Sequence, residues 1–222
     1  MPNSDPNLLA NPFVVGPAIT DPRFFVGRKD ELQAIISCMD GAQPTSINIV
    51  GERRIGKTSL LYHLERVWPQ KVRDPGRFVF VFISMEDDKV HKKRGFFNVI
   101  ARELLNQHSV RSRPDLVNAL ENSSMNGAAF ADIMVAFDGE GLLPVLCLDE
   151  FETLFDAPKE FDNTFYEGLR SIMDRSRMVI VAASPIPIKA HKRQQGITST
   201  FFNQGRTEIL RGLKSPVGTA CL

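Results

Sequence analysis

Four apolar runs punctuate the chain: residues 47–50 (INIV), 78–84 (FVFVFIS), 142–148 (LLPVLCL) and 178–183 (MVIVAA). Runs that stay apolar instead of alternating suit strands covered on both faces, as in a parallel sheet. Residues 206–210 form a weaker fifth run. Between the runs the apolar positions change to helical spacing. Leu32, Ile35 and Ile36 set this pattern before the first run, residues 58–64 continue it, and amphipathic stretches follow near 96–107, 114–121, 128–137 and 165–173. This alternation predicts an α/β fold with a doubly wound, five-stranded parallel sheet flanked by helices.

The ends read differently. Residues 1–23 contain Pro2, Pro6, Pro12, Pro17 and Pro22, which favour an extended arm, with Phe13, Val14 and Val15 able to strap across the domain. The expected division is an arm over 1–23, one core over 24–213 and a short tail over 214–222. With 43% hydrophobic and 24% charged residues, the 222-residue chain can bury an ordinary globular core. Its formal net charge of +1 lacks the basic footprint of a dedicated nucleic-acid binder, so any basic patch is local. Cys38, Cys147 and Cys221 show no C-x-x-C spacing, which fits reduced thiols. No basic leader precedes an apolar segment, and no run approaches the ~18 apolar residues of a membrane span. The expectation is a cytoplasmic protein with no membrane partner.

The chemistry begins where the first strand ends. Gly51-Glu52-Arg53-Arg54-Ile55-Gly56-Lys57-Thr58 matches G-x-x-x-x-G-K-[ST] between a strand and a helix, the context that makes it a phosphate-binding loop. Gly51 and Gly56 are expected to take positive φ, so that successive N–H groups face one concavity. The helix start behind them favours an anion. Gly51, Arg53, Arg54, Ile55, Gly56, Lys57, Thr58 and Ser59 are the expected nucleotide contacts. Lys57 should reach the β- and γ-phosphates and Thr58 should ligate Mg²⁺. Arg53 and Arg54 could neutralise phosphate, clamp another part of the protein or simply be exposed.

The third run delivers Asp149 and Glu150 at its carboxyl end, where open α/β sheets bind ligands. Asp149 can hold Mg²⁺ through water and Glu150 can orient and deprotonate an attacking water. The alternative is that Asp149 caps the next helix. Glu152 is expected on a helix surface. Ser184, ending the fourth run, could contact the γ-phosphate or the water, or it could simply form a Ser-Pro turn. Lys189, His191, Lys192 and Arg193 read as a solvated charge run. Arg170, Arg175, Arg177 and Arg206 are candidate fingers across an oligomer interface, and His63, His91 and His108 lack metal-ligand spacing.

Several segments together resemble the AAA-like ATPases of bacteria and archaea, grouped with the STAND NTPases and similar to origin-recognition ATPases. They are Asn11-Pro12-Phe13, Asp21-Pro22, residues 25–32 (FVGRKDEL), the loop over 51–59, residues 148–152 (LDEFE) and residues 199–203 (STFFN). The resemblance implies ATP or ADP with Mg²⁺, and an adenine pocket lined by the backbone of Val26 and Gly27, with Arg28 near the ribose or phosphates. It further implies that Ser184 is the sensor, and that one strand separates the acid strand from the loop strand. Family members continue into a helical lid, and a chain ending at Leu222 has no room for one. A protein partner or a missing effector domain is then expected to supply the lid and its arginine, and hydrolysis is expected to be slow. The leading expectation is an ATP-dependent signalling switch, a homo-oligomer in one form. The alternative is a DNA-associated loader or defence protein with a mainly structural nucleotide site, touching phosphates through Lys89, His91, Lys92, Lys93 and Arg94, with Lys189, Lys192 and Arg193. A small-molecule kinase stays open.

Overall fold

The structure is a computed structural model that describes residues 18–122, 125–190, 199, 201 and 205–212. Phe13, Val14 and Val15 of the expected arm, then His191, Lys192, Arg193, Thr200, Phe202, Asn203 and the tail over 214–222, lie outside these residues.

In chain order the elements are α1 (Lys29–Met39), β1 (Ile47–Val50), α2 (Lys57–Val67), β2 (Phe78–Ser84), α3 (Lys93–Leu105) and α4 (His108–Arg111). They continue with α5 (Pro114–Asn122), α6 (Gly127–Gly139), β3 (Leu143–Asp149), α7 (Asn163–Asp174), β4 (Val179–Ser184) and β5 (Arg206–Ile209). Every apolar run became a strand. The stretch near 96–107 lies in the single helix α3 as far as Leu105, and Gln107, extended at φ −77 and ψ 132, separates it from the short α4.

The five strands form one parallel sheet in the order β2-β3-β4-β1-β5. One strand, β4, separates the acid strand β3 from the loop strand β1, as the resemblance implied. Register aligns the carboxyl ends: Ser84 lies opposite Asp149, and Val50 opposite both Ser184 and Ile209. The loop, the acids and Ser184 therefore share one edge.

Both faces of the sheet are covered. Ile47, Ile49, Val145, Cys147 and Val181 pack under α1 and α2 with Ile35, Leu60 and Leu64. Val81, Leu146, Leu148, Ile180 and Ala182 pack under α3, α6 and α7 with Phe96, Phe97, Phe130 and Tyr166. Every residue of β3 is buried, which is why its run never alternates. Cutting Leu148 back to Ala would remove packing worth about 2–5 kcal/mol directly behind Asp149.

Candidate functional site

From Val50 the chain turns through residues 51–56 into α2. Gly56, just before the helix, sits at φ 99, a conformation that L side chains rarely adopt. Gly51 does not take the expected positive φ. Its need is space, since a Cβ there would stand 2.8 Å from Ile55 Cγ2. Arg54 takes a left-handed conformation instead, at φ 65. Arg28 (φ 60) and Glu150 (φ 55) do the same, so three of the four such non-glycine residues among those described lie at this edge. Strained backbone of this kind concentrates at functional sites. Arg53 and Arg54 are exposed, whereas Lys57 and Thr58 are half-buried and Ser59 is buried.

Lys57 Nζ donates to the carbonyl oxygens of Gly51 at 2.7 Å and Glu52 at 3.1 Å. Burial pushes its pKa down, and Glu152, Asp149 and Glu150 oppose that shift. Lys57 thus holds the loop's own carbonyls and can exchange them for phosphate oxygens. Thr58 Oγ1 donates to Asp149 Oδ2 at 2.6 Å, and Glu150 N–H donates to Asp149 Oδ1 at 3.1 Å. Asp149 is 4% exposed. Burial raises its pKa against the lowering from the Thr58 hydroxyl, the Glu150 amide and Lys57. The cap reading for Asp149 does not describe its place: it is the last residue of β3, and Glu150 occupies the cap position of the 3-10 turn Phe151–Asp156. Two hard oxygen donors side by side, one of them a buried carboxylate short of positive charge, suit Mg²⁺.

Glu150 is pushed up to about 7, by burial first and then by the Glu86 carboxyl that bonds to it. A carboxyl poised there can take a proton from water near neutral pH. Glu86 follows the end of β2 and was not singled out in the sequence. The signal was available, because any acid just past a strand neighbouring β3 reaches the same edge. Glu152 differs from its expected surface place. It is half-buried, its charge acts on Lys57, and its Oε2 is buried without a hydrogen-bond partner.

Ser184 reaches the edge but its side chain is wholly buried. Its hydroxyl lies 2.8 Å from the Ile186 carbonyl and 3.1 Å from Asn48 Oδ1. It has one proton, so a contact donated to phosphate or water requires it to leave these acceptors. Val26 is 73% exposed and Gly27 takes φ 81. The Arg28 side chain is only 7% exposed and donates to Ile55 and Glu31. Of the candidate finger arginines, Arg170, Arg177 and Arg206 pair with carboxylates of this chain. Among the described residues no cluster of His, Cys, Asp or Glu could hold a metal by itself, and no helix is long and apolar enough to cross a membrane.

The family model described as Bacterial TniB protein matches residues 28–195, more than half of the chain. No curated protein matches it. Among solved structures, the Aeropyrum pernix ORC2 protein in its ADPNP-ADP complexes is similar with a TM-score of 0.60 at 16% identity, over 84% of this chain and 48% of that one. The ORC1 protein of the same organism in complex with DNA gives 0.58 at 11% identity, over 89% and 49%. Cdc6p from Pyrobaculum aerophilum gives 0.58 at 17%, over 88% and 48%. The chain spans about half the length of these structures. The likeness is one of fold, and it agrees with the resemblance to origin-recognition ATPases.

Proposed function

The chain belongs to the bacterial TniB protein family and has the AAA+ P-loop fold, and from that premise we propose that it is an ATP-binding, Mg²⁺-dependent ATPase working with DNA, as a helper of transposition. The observation that carries the ATPase reading is the convergence of Lys57, Thr58, Asp149 and Glu150 at one sheet edge. In this reading the loop amides and Lys57 hold the triphosphate, and Thr58 and Asp149 hold Mg²⁺. When bound, the ion would neutralise phosphate charge. Glu150 orients a water and accepts its proton on the carboxylate. Val26 and Gly27 are proposed to offer backbone atoms to adenine, and Ser184 to read the γ-phosphate once it releases Ile186.

DNA replaces signalling as the proposed output for two reasons. One is the family match together with a relative of the same fold solved in complex with DNA. The other is the loop that follows β2 at the site edge. The loop and the first turn of α3 present Lys89, Lys92 and Arg94 to solvent, and the loop's shape is set by buried Val90 and by the Lys93–Asp162 ion pair at 2.9 Å. Three cations on a fixed loop and the helix start that follows it can meet phosphates without a basic chain overall.

The test is one purified sample. Bound nucleotide is identified, then ATP hydrolysis with Mg²⁺ is compared for wild type and Glu150→Gln, with and without duplex DNA. Adenine nucleotide with turnover lost in the variant supports the ATPase, and a rate changed by DNA supports the output. A sample that neither retains nor hydrolyses ATP overturns the reading.

A further inference from the structure

A phosphate loop works only if its amides point inward, which obliges its carbonyls to point outward and find partners elsewhere. The carbonyls of Gly51 and Glu52 are held by Lys57, an arrangement that ends when Lys57 turns to phosphate. The carbonyl of Ile55 is different. It accepts from Arg28 Nη2 at 3.1 Å, and Arg28 Nη1 is 2.9 Å from Glu31 Oε1. The two side chains are 7% and 19% exposed, so the guanidinium is committed within the protein. Arg28 precedes α1 in a left-handed conformation, φ 60 and ψ 21, a strained backbone that persists where surroundings dictate it.

The segment leading to Arg28 is bound along the same side. Ile19 N–H donates to the buried Ser59 Oγ at 2.9 Å. Phe25 stacks on His63 with ring centres 4.1 Å apart and planes at 14°. Ser59 and His63, four apart, lie on one face of α2, and Ile55 is in the loop just before that helix.

We propose that Arg28 is a positioning residue of the phosphate loop: through the Ile55 carbonyl it holds the Ile55–Gly56 peptide so that the Gly56 amide faces the bound phosphate, with Glu31 as its counter-charge. The proposal rests on reading residues 51–58 as the nucleotide site. In a planar trans peptide the C=O and N–H point in opposite directions, so gripping the Ile55 oxygen from behind aims the Gly56 N–H to the other side. A cation on the oxygen also polarises the peptide and makes that N–H a better donor. Arg28 then strengthens every ligand that places a phosphate in the loop, whatever base or sugar it carries. It does so without touching the ribose or phosphates, the place the resemblance implied for it.

The experiment compares ATP, ADP and inorganic tripolyphosphate as competitors of a fluorescent ATP analogue with Mg²⁺, for wild type, Arg28→Ala, Arg28→Lys, Glu31→Gln and Lys57→Ala. Melting without ligand identifies the folded variants, and Arg28→Lys and Glu31→Gln carry the test if Arg28→Ala does not fold. Arg28→Ala is expected to weaken all three ligands by a common factor on the order of tenfold, the loss of a charge-assisted hydrogen bond. Arg28→Lys and Glu31→Gln should weaken them in the same proportion but by less. In ¹⁵N-glycine spectra the downfield shift of the Gly56 amide on binding tripolyphosphate should shrink in each. Loss for nucleotides but not tripolyphosphate would make Arg28 a ribose or base ligand and overturn the proposal. A Glu31→Gln variant that binds as well as wild type or better, while the Arg28 variants lose, would make Arg28 a direct phosphate ligand and overturn it too. Unchanged binding in every Arg28 and Glu31 variant, with Lys57→Ala inactive, removes only this proposal, whereas unchanged binding in Lys57→Ala removes the nucleotide site itself.

Discussion

Thr58 and Asp149 stand 91 positions apart in the sequence and are joined by a 2.6 Å hydrogen bond from hydroxyl to carboxylate. That contact locks the start of α2 to the end of β3 and places the proposed metal donors side by side. It also means that one substitution can be read in two ways, as stability without ligand and as metal dependence with it.

Thr58→Val keeps the side-chain shape but removes the donor, leaving a carboxylate that is 4% exposed with one bond fewer. The nucleotide-free protein should lose about 1–3 kcal/mol of unfolding free energy. Thr58→Ser should lose much less. Urea midpoints at constant slope measure the first effect. The second is the Mg²⁺ dependence of ATP binding, which should vanish in Thr58→Val and persist in Thr58→Ser. Equal midpoints for all three proteins would show that the bond contributes nothing.

Lys57 gives a prediction about the empty loop. Because its ammonium bridges the Gly51 and Glu52 carbonyls, Lys57→Ala should cost affinity for ATP and ADP by at least ~10-fold. It should also loosen residues 51–56 before any ligand arrives. Hydrogen exchange over the loop in the nucleotide-free protein should speed up in the variant, and exchange equal to wild type would count against the bridge.

Much of this was legible beforehand for a physical reason. A strand buried on both faces has no alternation to blur, so β3 announced itself and carried Asp149 and Glu150 to the edge. The loop spacing is equally local. What stayed hidden depends on neighbours that only the fold supplies. Glu152 follows the strand into a 3-10 turn too short for any period, and nothing in one dimension shows that its carboxylate turns toward Lys57. Arg28 lies 27 positions from the Ile55 carbonyl it holds. Gly51 matched its motif for a reason other than the one expected, the nearness of the Ile55 side chain.

Glu150 makes the protein's stability depend on pH. Its carboxyl ionises near 7 in the folded chain and near the ordinary 4.5 when unfolded. Between those values the unfolded chain has released a proton that the folded chain retains, so stability falls as pH rises from about 4.5 to 7 and levels off above. Raised values for Asp149 and Glu152 act in the same direction. Glu150→Gln should flatten part of the fall, so its Tm should exceed that of wild type at pH 8 and match it near pH 4, both without nucleotide. A variant that melts below wild type at pH 8 would contradict the raised pKa.

The proposed DNA binding should depend on the loop after β2 and the start of α3, and the structure allows their charge to be removed without their shape. Asp87 accepts from the Lys89 amide at 3.0 Å, His91 Nε2 lies 3.2 Å from the Met85 carbonyl, Val90 is buried, and Lys93 pairs with Asp162. None of these anchors uses the side chains of Lys89, Lys92 or Arg94. Replacing those three with Ala should leave melting and DNA-free ATP hydrolysis unchanged while weakening binding to duplex DNA. The diagnostic is salt, because every phosphate left unneutralised reduces the slope of log K against log salt by about 0.9. A shallower slope with uniform weakening across DNA sequences would place phosphates on this loop. Weaker binding at an unchanged slope would mean that these residues act through the fold, and unchanged binding would move the DNA surface elsewhere.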